Sequence, residues 1–203
     1  GRLEGLEQLE RLERRYPNLR IQLYELSREM IEDGLVTNRF DMAVVLTSNL
    51  RHREIAYETL FGSVRRLWLP ARHALGERTV VNLSEVANEP FILLTVDEAD
   101  KTALRYWNQS GRKPNIIMRT SSIEAVRSMV ANGSGVAILS DLVYRPWSLE
   151  GLRIETVLLM DHVPAMNVGL AWRKGVTFTP AMEAVREYFR QSFLTPQLSS
   201  GRR

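Results

Sequence analysis

Between residues 3 and 14 the chain sets Leu3, Leu6, Leu9 and Leu12 among Glu, Gln and Arg. Steps of three drift around a helix, so this spacing predicts a helix whose apolar band is broad enough to touch two surfaces. Glu10 and Arg14 add an i,i+4 ion pair, and Tyr16-Pro17-Asn18 ends the helix. Leu19, Ile21 and Leu23 then alternate with polar residues, the period of a half-buried strand. Ser27 stands at an expected N-cap, with Met30, Ile31 and Leu35 on the inner face of a short helix. Asn38 tolerates positive φ and turns the chain into the near-continuous apolar run at 40–45. Strand, helix and strand in this order predict βαβ connections and a parallel sheet.

A polar loop at 47–54 leads to apolar runs at 55–61 and 64–69. Residues 82–87 read as one helical turn before a strand at 91–95, and a polar stretch at 96–101 precedes a helix carrying Leu104 and Trp107. Gly111 and Pro114 end that helix, and a strand follows at 116–118. Residues 120–139 hold the densest local signals. Ser121 and Glu124 have the spacing of a capping box, Ile123, Val126 and Val130 share one helical face, and Asn132-Gly133 provides a stop. Residues 136–139 then read as a buried strand. Tyr144-Arg145-Pro146-Trp147 is expected to pack, and strands are expected at 154–158 and 166–172. Thr179-Pro180 is an N-cap with Pro at the first helical position, ahead of a helix that packs Met182, Val185 and Phe189. The tail from Thr195 is expected to fray.

Composition narrows the function classes. A length of 203 residues with 44% hydrophobic and 25% charged residues can bury a sizeable core, as an ordinary globular protein does. Cysteine is absent, which excludes disulfides and thiol chemistry and fits a reducing compartment. No apolar run approaches a membrane span. The net charge of +3 is scattered over Arg14-Arg15, Arg51-His52-Arg53, Arg65-Arg66 and Arg202-Arg203, without the basic stripe of a nucleic-acid surface. His52, His73 and His162 lie in separate loops with no metal-ligand spacing, so no metal and no cofactor is expected. Gly133-Ser134-Gly135 lacks the third glycine of a dinucleotide loop. The carboxylate pairs Glu32-Asp33 and Asp97-Glu98 read as solvated, and Trp68, Trp107, Trp147 and Trp172 read as packing anchors. Nothing in this inventory argues for an enzyme.

The order of motifs resembles the effector-binding (regulatory) domain of LysR-type transcriptional regulators. The residues that carry the resemblance begin with Arg15-Tyr16-Pro17 before Ile21-Gln22-Leu23. Asn38-Arg39-Phe40-Asp41-Met42-Ala43-Val44 follows, similar to the family's G-x-L-D-x-A-I, then Leu69-Pro70-Ala71-Arg72-His73-Ala74-Leu75 and Asn88-Glu89-Pro90-Phe91-Ile92-Leu93-Leu94. The helix and V-A-x-G-x-G-V-A-x-L turn within 120–139 complete the series. Together these cover roughly residues 6–193.

The resemblance implies an α/β fold of two Rossmann-like lobes with a cleft between them, periplasmic-binding-protein-like of type 2. Lobe I would comprise residues 1–62 and 166–203, and lobe II residues 63–165. By position, the effector-facing residues would be Ser27, Leu46, Thr47, Thr95, Asp97, Lys101, Thr120, Ser121, Ser122 and Ser140. Ser27 and Ser122, beside helix N-termini, are the leading candidates to donate hydrogen bonds to a carboxylate or other polar group. Family members begin this domain with a strand and a polar loop, whereas these residues open in the helix at 2–15, so a preceding segment or another element is expected to complete lobe I. Ser140 stands where many relatives have Pro, and Asn38 where they have Gly.

The family's winged helix-turn-helix is not among these residues, so DNA contact is expected only through such a domain in a full-length protein. Regulatory domains of the family pair antiparallel, which would place Leu6, Leu9, Leu12, Leu19, Ile21 and Leu23 of one copy against Arg127 and Val130 of another. The implied protein is a cytoplasmic homodimer, or a tetramer at full length, that senses a small molecule without catalysis. A stand-alone solute-binding protein of the same fold is the alternative.

Overall fold

The chain divides into two compact units, Gly1–Gly62 with Asn167–Arg203, and Ser63–Met166. The computed structural model describes residues 2–194, with side chains from 9 to 193; Leu3, Leu6 and the tail from Thr195 therefore lie outside the described side chains. In chain order the elements are α1 (Arg2–Arg15), α2 (Arg28–Val36), β1 (Ala43–Leu46), β2 (Ile55–Ser63), β3 (Arg65–Pro70), β4 (Val80–Val81), α3 (Leu83–Val86) and β5 (Pro90–Leu94). There follow α4 (Ala99–Gln109), β6 (Asn115–Thr120), α5 (Ile123–Ala131), β7 (Ala137–Ser140), β8 (Ile154–Leu159), β9 (Met166–Arg173) and α6 (Pro180–Leu194).

In the first unit the described sheet runs β1-β9-β2, with β1 antiparallel to β9 and Val45 opposite Gly169. A Cβ at Gly169 would lie 2.0 Å from the Glu58 carbonyl oxygen, so only glycine lets β9 lie against β2 at this point. Two small cores flank the sheet. Leu35, Ile55 and Ala171 pack with Ile31, Phe40 and Val45. Leu60, Leu170 and Phe189 pack with Leu9, Met42, Phe61 and Val185. α6 starts as its sequence predicts: the Thr179 hydroxyl accepts from the Met182 N–H at 3.2 Å, and Met182 and Phe189 are buried. Asn38 holds φ 62° at the turn into β1.

Among the described residues the strand expected at 19–23 is not formed, and β1 pairs antiparallel with β9 instead of parallel to such a strand. After Leu19 N–H bonds the Tyr16 carbonyl, no backbone hydrogen bond is recorded among the described residues until the first turn of α2. The alternation does set Leu19 and Ile21 half-buried, but Leu23 is 61% exposed. A strand needs a neighbour to accept its backbone groups, and this segment pairs with no described strand.

In the second unit the order is β4-β8-β3-β7, with β5-β6 beside it. β3 is antiparallel to β7 and β8, and β5 is parallel to β6. Ile92 N–H to Val136 O (2.9 Å) and Val136 N–H to Pro90 O (2.8 Å) join the two sheets. The apolar runs of the strands look continuous in sequence but divide by period two between opposite faces. Leu67, Leu69, Phe91, Leu93 and Ile138 face one core with Tyr106 and Trp107 of α4. Trp68, Ile92, Leu94, Ala137 and Leu139 face the other, with Val126 and Val130 of α5. Each fully buried aliphatic or aromatic side chain contributes roughly 1.5–3 kcal/mol. Trp68 and Trp107 are the packing anchors expected; Tyr144 packs edge-on to Trp68 at 5.7 Å, whereas Trp147 is exposed beneath Arg153.

One ion pair ties α6 to the first unit's sheet. Arg190 Nε and Nη2 donate to the two carboxylate oxygens of Glu58 at 2.6 and 2.7 Å. The Arg190 guanidinium holds the Glu58 carboxyl below its ordinary value of 4.5, against a smaller opposing effect of burial. A depressed carboxyl stabilises the fold above its unfolded value, and that contribution is lost as pH falls through the folded value. Glu58→Gln should therefore cost about 1 kcal/mol near neutrality, with the gap to wild type in urea denaturation closing below pH 4.5. A gap unchanged by acidification would remove the pair from the pH response.

Candidate functional site

The second unit gathers polar groups where β5 and β6 end. Leu94 pairs with Thr120, and the Thr95 N–H donates to the Thr120 carbonyl at 2.9 Å. The C-terminal ends of two parallel strands thus stand side by side, the position at which open α/β sheets bind ligands. Beyond Thr95 the chain makes a short 3-10 turn in which Asp97 and Glu98 take φ of 52° and 60°. Two successive non-glycine residues in that region store roughly 1–3 kcal/mol each. α4 then opens with Glu98 at its N-cap, without a side-chain cap bond, and Lys101 reaches back to Glu98 at 3.6 Å.

At the mouth of α5 the three hydroxyls have different partners. Thr120 Oγ1 accepts from the Ser122 N–H at 3.1 Å, and Ser122 Oγ accepts from the Ala125 N–H at 3.1 Å. Ser122 is therefore the N-cap, which corrects the capping box expected at Ser121 and Glu124. The helix starts one residue later than that box requires, and Glu124 instead pairs with Arg127. Ser121 is exposed and carries no hydrogen bond among the described residues. A hydroxyl that accepts an N–H keeps its own proton to donate, so Ser122 remains a donor while capping.

Other residues singled out by the resemblance are engaged inside their own units. Ser140 is buried, donates to Ser63 Oγ at 2.5 Å and accepts from the Leu142 N–H at 3.0 Å. Thr47 is buried and its hydroxyl lies 2.7 Å from that of Thr59. Leu46 ends β1 opposite Val168. Ser27 caps α2 by accepting from the Met30 N–H at 3.3 Å. The structure brings Thr95, Asp97, Lys101 and the run 120–122 to the ends of β5 and β6 and the first turn of α4 in one unit, and it leaves Ser140 buried in that unit's interior.

Glu32 departs from its expected solvated state. It is buried, takes 2.8 Å from Arg28 Nη1 and accepts the Arg51 N–H at 2.7 Å, pinning the loop after β1 to α2. The i,i+4 spacing of Arg28 and Glu32 carried this signal. Two histidines serve turns: His52 Nδ1 accepts from Glu54 N–H at 3.0 Å and His73 Nδ1 from Leu75 N–H at 3.1 Å. Among the described residues no group of three or more His, Asp or Glu could hold a metal ion, and no helix is long and apolar enough to cross a membrane.

The expected self-contact residues also separate. Leu12 and Val130 are 0% exposed and leave no surface for a second copy, because each fills the core of its own unit. Arg127 is buried as well, its Nη2 donating to the Val143 carbonyl at 2.6 Å. Leu9 is half-buried against Leu60, Leu170 and Phe189. Leu23 and Tyr24 remain exposed, and the side chain of Leu6 lies outside the described residues.

Comparison with known proteins agrees along nearly the whole length. The family model described as "LysR substrate binding domain" matches residues 6–194. An uncharacterised HTH-type transcriptional regulator, YybE of Bacillus subtilis, is 26% identical over 179 residues, covering 88% of this chain and 60% of the relative. The chain thus spans about three fifths of that relative's length. A putative LysR family transcriptional regulator from Pseudomonas aeruginosa superposes with a TM-score of 0.80 at 26% identity, covering 92% of this chain and 65% of that one. The BenM effector-binding domain with its effector benzoate superposes with a TM-score of 0.76 at 18% identity, covering 93% and 85%. The fold is the periplasmic-binding-protein-like type 2 architecture of these domains.

The cap assignment makes the two neighbouring serines separable. Ser122→Ala should cost about 1 kcal/mol in urea denaturation, while Ser121→Ala should change stability by no more than a few tenths. Equal losses would return Ser121 to a capping role.

Proposed function

This chain belongs to the LysR substrate-binding domain family, and we propose that it is the effector-sensing and oligomerisation domain of a transcription regulator. The observation that carries the reading is the family match over residues 6–194, joined to a donor-lined loop cluster at the ends of β5 and β6. We assign effector contact in the second unit to Thr95, Asp97, Lys101, Thr120, Ser121 and Ser122, with Ser121 and Ser122 as the hydroxyl donors. In the first unit the assigned residues are Ser27, Leu46 and Thr47. Ser140 supports the cluster from within through Ser63. That relatives are regulators favours the sensor over a stand-alone solute-binding protein, and over an enzyme.

In the full-length protein, DNA contact belongs to a separate DNA-binding domain, and the effector acts by favouring one of two arrangements of the assembled regulator. The reading puts the protein in the cytoplasm, where its DNA target is. Self-association in this scheme uses Leu9, Leu19, Ile21 and Leu23.

A thermal-shift screen of metabolites against the purified chain tests the sensor reading. A true effector raises the melting temperature saturably, and Ser121→Ala should weaken its binding about tenfold, the effect of losing one hydrogen bond to a charged or strongly polar group. Affinity unchanged in both Ser121→Ala and Ser122→Ala would sink the assignment. Leu23→Arg should shift sedimentation of the chain toward monomer; identical sedimentation would remove residues 19–23 from the interface.

A further inference from the structure

Arg65 opens β3 directly opposite Ser140 of β7 and, like Arg173, it has no carboxylate partner among the described residues, whereas the other half-buried or buried arginines do. Arg28 has Glu32, Arg66 has Asp141, Arg127 has Glu124 and Arg190 has Glu58. Arg65 has only the Pro164 carbonyl, which accepts from Nη1 at 2.5 Å, and no carboxylate pairs with it among the described residues. Facing it is Tyr106 of α4, 3% exposed, whose hydroxyl has no hydrogen-bond partner among the described residues. The two line a cavity of about 20 Å³ together with Leu94, Ala99, Ala103 and Leu139.

A tyrosine hydroxyl without a protein partner and a half-buried cation without a counter-charge leave the polar part of this cavity wall open to an occupant. Burial pulls the Arg65 guanidinium below its ordinary value and pushes the Tyr106 hydroxyl up, so the pair stays one cation and one neutral donor at physiological pH. Water in the cavity would satisfy the hydroxyl and leave the charge uncompensated. An anion would satisfy both. Ala99, the first residue of the 11-residue helix α4, is also in the lining, and the N-terminus of a helix adds a favourable field for negative charge. We propose that Arg65, Tyr106 and the first turn of α4 form a monoanion site that takes a halide-sized ion or the carboxylate end of a larger ligand. Only in its carboxylate form does the inference rest on the effector-sensing reading.

The test titrates the 203-residue chain with sodium chloride and, separately, sodium formate, at an ionic strength held constant by bulky methanesulfonate. Melting temperature is the readout. Wild type should gain about 5 °C saturably. Arg65→Gln should lose the saturable gain. Tyr106→Phe should bind at least about tenfold more weakly yet melt no lower than wild type without anion, since it loses a hydroxyl that is then unpaired; this variant carries the test alone if Arg65→Gln does not fold. Competition between chloride and formate identifies a free monoanion, and a response to formate only identifies a carboxylate end; either supports the site. The same salt response in wild type and Tyr106→Phe overturns it. An anion response without any metabolite hit would count against the sensor reading alone, and a metabolite hit without an anion response against the anion site alone.

Discussion

The polar cluster of the second unit depends on one close approach of backbone to backbone. Gly135 precedes β7 where a Cβ would stand 2.9 Å from the Pro90 carbonyl oxygen and 3.2 Å from the Ile92 side chain. Without a side chain there, Val136 can both donate to Pro90 and accept from Ile92, and β5 with β6 becomes continuous with β7, β3 and β8. That continuity sets the ends of β5, β6 and β7 in one row. Thr95 then meets Thr120, and Leu94 and Leu139 come to line the same cavity. A side chain at position 135 would act on stability and on the cluster together, because the two share this joint.

The arginines show how the fold handles charge at different depths. Arg190 lies on a partly exposed face and is matched by a forked carboxylate, a geometry worth more than a single surface contact. Arg127 lies deeper, with Glu124 on one side and the Val143 carbonyl on the other. It ties the helix whose mouth carries the hydroxyls to the loop after β7. Glu32 does the reverse in the first unit, an acid held by one arginine and two backbone N–H groups. In the last two cases the buried charge organises a loop just after a strand, β7 for Arg127 and β1 for Glu32, and rigid support of that kind is what a binding surface needs.

Much of this was legible in the sequence because the signals were local. Thr179-Pro180, Asn38 and the apolar runs of the second unit each predicted an element from a few neighbouring residues. The runs at 91–94 and 136–139 could be read as buried strands, but not which residue faced which core, since period-two division needs the layers on both sides. The strand expected at 19–23 fails for a related reason: alternation prescribes a strand only where another strand accepts its hydrogen bonds. The capping box at Ser121 failed by one residue, because Ser122 offers equal chemistry and the end of β6 at Thr120 decides where the helix begins. Arg65 and Tyr106 were out of reach. They are far apart in sequence, neither belongs to a motif, and their relation arises only when α4 folds over β3.

The hydroxyls at the α5 mouth carry a direction that follows from their bonds. Thr120 and Ser122 each use an acceptor lone pair on a backbone N–H, and neither use consumes the hydroxyl proton. Ser121 has both functions open. The first-turn N–H groups of a helix point outward as well, so the surface offers more donors than acceptors. Lys101 adds a cation, while Asp97 and Glu98 lie on the same loop with the opposite charge. Donors converge at the helix mouth and carboxylates stand at the start of α4, so a ligand that is negative or acceptor-rich at one end fits this arrangement better than a uniformly basic one. The preference comes from hydrogen-bond placement more than from net charge, because two acids and one base around the start of α4 are screened by solvent, whereas the position of a capping hydroxyl oxygen is fixed by the helix it caps.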